Sequence, residues 1–268
     1  MLVVSPHLDD GVLSVGGTIA RLSAAGSAVV VATLFTGSPP APLSVGARAF
    51  HEQCGLGDDA MRHRAEEDEA ACDAVGAEHR HLDLPEALYR IDADGRHLYR
   101  DGRDIFGPDP LAEPGVISAV EKELRRLLDW LRPDAVVAPL GVGDHVDHAI
   151  TKVAVRRCNI DPARLRWSED VPYALYPHLR GWEARLTREL VSETELLGES
   201  EWMGKIAAVS CYASQLGILW HDPAPWHQQL LDYADRIGDG RTAERLWRQP
   251  QLQSSTGFAA RSSDRRLQ

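Results

Sequence analysis

Three apolar residues, Leu2-Val3-Val4, run directly into Ser5-Pro6-His7-Leu8-Asp9-Asp10, and this junction constrains the chain more than any other segment. A short apolar run bounded by polar residues reads as a strand buried on both faces, the kind parallel sheets contain. A helix is predicted from about Val12 to Ala25, broken by Gly26-Ser27, and Ala28–Phe35 reads as a second buried strand. Strand, helix and strand form a βαβ unit with a parallel crossover. Open parallel sheets bind ligands outside the carboxyl ends of their strands, where His7, Asp9 and Asp10 fall. Gly16 and Gly17 lower the helix's propensity, and their expected use is close approach to the sheet.

The same pattern recurs downstream. A charged helix spans about Asp58 to Val75 and stops at Gly76, and His81–Leu84 reads as a short strand. Val116–Leu131 is an amphipathic helix ended by Pro133, and Asp134–Leu140 is another buried strand. That strand leads through Gly141-Val142-Gly143 into Asp144-His145-Val146-Asp147-His148, which opens a helix to about Arg157. Val171–Tyr176 reads as extended, and a helix is expected around Trp202–Tyr212. Thr36–Gly57 and Pro85–Pro114 read as long loops over the C-terminal strand edge, with a small hairpin at Asp94-Gly95. The fold class is α/β with a mostly parallel sheet. One domain over residues 1–250 is expected, with polar residues 251–268 as a flexible tail.

The chain of 268 residues has a formal net charge of −11. That balance argues against nucleic-acid binding, which rests on phosphate neutralisation, and against a polybasic membrane anchor. No stretch approaches the roughly 20 apolar residues of a membrane span, and the N-terminus lacks the basic start of a signal peptide. Cys54, Cys72, Cys158 and Cys211 are scattered without a CxxC pair, so free thiols and a cytoplasmic location are expected.

Two clusters carry the chemistry. His7-x-Asp9-Asp10 and His145-x-Asp147-His148 each follow a buried strand, and they meet if those strands are neighbours. His7, Asp10 and His148 form the three-ligand set of a catalytic zinc site that keeps a position for water, although iron(II) and cobalt(II) suit the same donors. Asp9 could serve as general base beside that water. His145 and His148 share a helix face, and Asp147 could hydrogen-bond a ring N–H and keep His145 protonated. The ordinary alternative for each cluster alone is helix capping or a structural histidine.

These residues resemble the PIG-L/LmbE-like family of zinc-dependent N-deacetylases, whose members carry a strand followed by (A/S)-H-P-D-D-E and a later H-x-D-H. Further similarities are Arg64-Ala65-Glu66-Glu67-Asp68, Glu169-Asp170-Val171-Pro172-Tyr173, and Lys205 with Tyr212-Ala213-Ser214-Gln215. The resemblance implies a Rossmann-like three-layer sandwich and removal of acetyl from an N-acetylglucosaminyl group on a small amino-sugar conjugate. It implies zinc on His7, Asp10 and His148, Asp9 as base, His145 as acid and oxyanion partner, and Asp147 as support for His145. It also suggests that Arg64 and Tyr173 face the substrate; otherwise Arg64 forms a surface ion pair with Glu67, and Tyr173 is core. Leu8 and Gly11 depart from the motif, and Gly11 in place of glutamate removes a possible pocket contact. The form with Val-Leu-Ser after Gly11 looks like the branch acting on sugars of glycopeptide-type metabolites. A zinc amidase for another amide, or a sugar-binding protein without turnover, stand as alternatives. Trp220, His221, Trp226 and His227 read as packing or a lid.

Overall fold

The computed structural model describes residues 1–40, 42–220 and 223–250. Among them, seven strands form one sheet: β1 Leu2–Ser5, β2 Val30–Thr33, β3 Glu78–His81, β4 Val136–Pro139, β5 Leu165–Ser168, β6 Val191–Leu196 and β7 Ala243–Arg248. Their order is β3-β2-β1-β4-β5-β7-β6, parallel from β3 to β5 and antiparallel at β7 and β6. The helices are α1 Asp10–Ala24, α2 Val45–Gln53, α3 Ala60–Ala74, α4 Pro114–Leu131, α5 Val146–Arg157, α6 Trp182–Leu186, α7 Glu199–Val209, α8 Ala213–Leu219 and α9 Trp226–Ile237.

The chain runs β1-β2-β3 in one direction, then returns to β4 and β5 on the other side of β1. Right-handed crossovers in opposite directions put their helices on opposite faces. So α1 and α3 cover one face with α7 packed on both, and α4 pairs with α5 on the other. The reversal between β1 and β4 is a topological switch point, where such sheets open a ligand crevice. The three-layer α/β sandwich is thereby established. β1, β2 and β4 are buried throughout, which explains sequences that are apolar apart from Ser5 and Thr33 at the C-terminal ends of β1 and β2.

Several boundaries differ from the sequence reading. Thr36–Gly57 contains α2, capped by Ser44 Oγ accepting from the Ala47 amide at 2.9 Å. The third strand is Glu78–His81 rather than His81–Leu84. It lies at the sheet edge, half-exposed, so its polar sequence carries no buried-strand signal. Tyr173–Leu175 is a 3₁₀ turn rather than extended chain. The hairpin at Asp94-Gly95 is present, bridged by Ile91 and His97. The tail expectation for 251–268 lies outside the described residues.

A buried carboxylate ties α1 to the antiparallel end of the sheet. Glu244 accepts from the Gly17 amide at 2.9 Å, the Thr18 amide at 2.8 Å, Thr18 Oγ1 at 2.7 Å and Lys205 Nζ at 2.7 Å. A Cβ on Gly17 would lie 2.4 Å from the Leu197 Cδ1 methyl, so a larger residue there would require that side chain to move. Glu244 and Lys205 are both buried, and removing one member of such a pair strands the other charge. Glu244→Ala is therefore expected to lower unfolding free energy in urea by about 3–5 kcal/mol. A loss under about 1 kcal/mol, the size of an exposed pair, would contradict this reading.

Candidate active site

The site begins at the end of β1. Ser5 Oγ donates to the His7 carbonyl at 2.7 Å and accepts from the Gly11 amide at 2.9 Å, which shapes the turn into α1. The Asp10 carboxylate accepts from the His7 amide at 2.8 Å and lies 3.0 Å from His7 Nδ1. Asp9 is the N-cap residue of α1, yet its side chain makes no capping bond and lines the cavity above the sheet. A Cβ on Gly11 would meet Ser5 and Val31 of the sheet. Gly11 therefore faces the interior, and the expectation that it costs a pocket contact is corrected.

β4 is the neighbour of β1, and the chain leaving it brings the second cluster to the same edge. His145 caps α5, its Nδ1 accepting from the Asp147 amide at 3.1 Å. One turn later, His148 Nε2 lies 3.3 Å from the Asp10 carboxylate. The far nitrogen, His148 Nδ1, is 2.6 Å from Asp170 at the end of β5. The other Asp170 oxygen accepts from the Gly141 and Val142 amides, both at 2.8 Å, which fixes the loop between β4 and α5. Gly143 in that loop has φ +90°, and a Cβ there would strike the Tyr173 ring.

Asp147 acts elsewhere than expected. Its carboxylate is 3.1 Å from His7 Nε2, 2.5 Å from Arg90 Nη1 and 2.9 Å from the Ala87 amide. It does not hold a proton on His145. Burial, with His7 nearby, keeps His145 well below the usual imidazole range. Because Nδ1 accepts a backbone N–H, the neutral ring carries its proton on Nε2. The expectation of a protonated His145 supported by Asp147 is thus corrected: the ring is a neutral hydrogen-bond donor.

The charge pattern suits a cation. Burial would raise Asp10, but His148 and His7 hold it well below the carboxylate range. Burial opposes charge on His148, but Asp10 and Asp170 raise it to about 9. Burial and the Asp10 charge push Asp9 up to about 7, and a bound dication would draw it down again. His148 Nε2 is buried and makes no hydrogen bond. The 3.0 and 3.3 Å separations around Asp10 approach the edge of about 3.3 Å that bonds of about 2.0 Å give a tetrahedral ion.

His7, His145 and His148 also form a buried cluster of three imidazoles able to hold a metal. With Nδ1 occupied, His145 can ligate only through Nε2, by giving up its remaining N–H. Asp10 is the charged donor that touches both other rings. His51 bonds Tyr89 and His81 bonds Asp68, so those histidines are structural.

A cavity of about 590 Å³ opens over these groups. Arg64 lines it, fully buried, with Nη1 2.6 Å from Glu86 and Nε unpartnered. Burial works against its charge, and Glu86 and Asp9 more than offset that. The surface pair with Glu67 does not form; Glu67 instead accepts from the Ser214 amide and hydroxyl. Tyr173 forms part of the wall, its ring edge-on to His148 with centroids 5.6 Å apart. Trp220 packs near Trp226, with centroids 6.5 Å apart, while His221 lies outside the described residues. Sequence reasoning missed Asp170, Arg90 and Glu86. Only Asp170 had a signal, as part of Glu169-Asp170-Val171-Pro172-Tyr173; Arg90 and Glu86 lie in irregular chain without a pattern.

The model of the PIG-L family, GlcNAc-PI de-N-acetylase, matches residues 2–159. The 2'-N-acetylparomamine deacetylase of Niallia circulans is 28% identical over 83% of this chain and 83% of its own length. Its namesake from Streptomyces fradiae is 33% identical over 65% of this chain and 57% of its own. The zinc-inhibited form of teicoplanin deacetylase Orf2 superposes with a TM-score of 0.83, at 28% identity, covering 95% of this chain and 99% of that one. The A40926 pseudoaglycone deacetylase Dbv21 gives a TM-score of 0.76 at 30% identity, covering 92% and 95%. With the family model matching more than half of the chain and the motif residues gathered in one cavity, the chain belongs to the PIG-L family and is a deacetylase of that family.

Proposed function

We propose that the chain hydrolyses the N-acetyl group of a 2-acetamido sugar carried on a small glycoconjugate of secondary metabolism. One observation carries the reading: Asp9, buried and unused in capping, shares a cavity with His145, whose Nε2–H is free to donate. The named relatives, which act on acetylated antibiotic sugars, support the substrate class.

Zinc is the metal assigned, with His7 Nδ1, the Asp10 carboxylate and His148 Nε2 as its ligands. When bound, such an ion polarises the acetamide carbonyl and acidifies water. Asp9 takes a proton from the attacking water as its oxygen adds to the carbonyl carbon. His145 Nε2–H donates to the carbonyl oxygen as negative charge gathers there. Collapse breaks the C–N bond, the proton on Asp9 passes to the departing nitrogen, and acetate and the amine leave. Arg64 presents its guanidinium in the cavity wall to a sugar hydroxyl, and Tyr173 packs against the acetamide end. Asp147 and Asp170 are positioning residues that orient His7 and His148.

Purified protein is expected to release acetate from N-acetylglucosaminyl conjugates, to stop on chelation and to recover with zinc; turnover indifferent to chelator would reject the proposal. Asp9→Asn should lower kcat by roughly 10²–10⁴-fold with metal content unchanged by elemental analysis, so an undiminished rate would remove Asp9 as base. Asp170→Asn should weaken metal affinity by about 10–100-fold in competition with a chelator. Equal affinity there would mean that His148 needs no anchor.

A further inference from the structure

Two exposed apolar side chains line the cavity where a second sugar or aglycone would sit. Val45, the first residue of α2, is 85% exposed and lines the cavity, and Phe106 lines it with 44% exposed. Because both line the cavity rather than open surface, they offer apolar contacts to whatever group extends from it. Neither hangs free of the scaffold. The Gly46 amide donates to the Arg100 carbonyl at 3.0 Å, and a Cβ on Gly46 would strike Arg100 and Asp101, so the first turn of α2 sits on the loop that carries Phe106. That loop is bridged at Phe106 to His145, and the two rings lie edge-to-face with centroids 5.4 Å apart. The apolar rim is therefore continuous with the catalytic end of the cavity.

The charges of the wall are already matched. Among the described lining residues, the carboxylates of Asp10, Glu86, Asp147 and Asp101 each face a histidine or arginine: His7 and His148, Arg64, Arg90 and Arg103 respectively. Only Asp9 is left, at the scissile end. The rim thus has no unpaired carboxylate for the ammonium groups of a polyamine sugar, because its Asp101 is already paired with Arg103.

Resting on the deacetylase reading above, we infer that the substrate's acetamido sugar is joined to an apolar or aromatic aglycone, seated on Val45 and Phe106, rather than to a polycationic ring. Aromatic edges and aliphatic surface bind such groups by burial, while an ammonium group would lose its hydration for no return.

Three substrates separate the cases: free N-acetylglucosamine, phenyl N-acetyl-β-glucosaminide and 2'-N-acetylparomamine. Wild-type, zinc-loaded protein should prefer the phenyl glycoside to the free sugar by at least tenfold in kcat/KM, chiefly through KM, with the paromamine derivative no better than the free sugar. In Val45→Asp, a change compatible with a helix N-terminus, the phenyl-to-free ratio should fall at least threefold. The ratio cancels any loss of folded or metal-loaded enzyme. Calorimetry with phenyl β-glucoside, which has no acetyl group, reads the rim without turnover: binding should be detectable in wild type and at least threefold weaker in Val45→Asp. Preference for the paromamine derivative, or ratio and binding unmoved by Val45→Asp, would overturn this inference and leave the deacetylase reading intact. Absence of acetate from all three substrates would overturn the deacetylase reading, and the calorimetric arm would still decide the rim.

Discussion

Two buried carboxylates, Asp147 and Asp170, each hold the far nitrogen of a histidine ring, and the rest of the site follows from that restraint. An imidazole free to rotate offers either nitrogen in either tautomer. With Nε2 of His7 on Asp147 and Nδ1 of His148 on Asp170, the opposite nitrogens must both turn toward Asp10. The anchors are themselves anchored, Asp147 by Arg90 and the Ala87 amide, Asp170 by two loop amides. A ligand set built this way is ordered before any ion arrives, so binding need not include the entropy of ordering the rings.

The sheet supplies the other half. Burying this many ionisable groups is unfavourable unless each meets a partner. The partners come from chain segments far apart in sequence: the β1–β4–β5 adjacency brings His7, Asp10, His148 and Asp170 together, and the segment after β3 adds Ala87 and Arg90. Strands whose core positions are mostly apolar deliver their catalytic polar residues just beyond their ends. Core and site are therefore the same construction viewed from two sides. Midway along α1, Glu244 fixes the helix to β7, and the N-terminus of that helix carries Asp10.

Much of this was legible in the sequence where one residue type implied one environment. The apolar runs shortly before His7 and His145 located two strands and the cavity edge, and the residue types at those ends pointed to a metal site. What escaped had mixed signals. β3 is polar because it lies at the edge, and α2 hid in a stretch rich in glycine and proline despite Ser44 at its start. β6 (Val-Ser-Glu-Thr-Glu-Leu) and β7 (Ala-Glu-Arg-Leu-Trp-Arg) are rich in polar residues and pair antiparallel, unlike the apolar parallel core. The role of Asp147 was misread because its neighbour in sequence, His145, offered an obvious partner. Arg90, the actual one, comes from a loop whose path no local pattern predicts.

The central claim is that His7, Asp10 and His148 share one divalent ion while His145 keeps its proton. Anomalous diffraction from crystals of the zinc-loaded protein tests it most directly. The account predicts a single peak within about 2.0–2.2 Å of His7 Nδ1, an Asp10 oxygen and His148 Nε2, with His145 beyond bonding distance. A peak bonded to all three imidazoles with Asp10 turned away would contradict it.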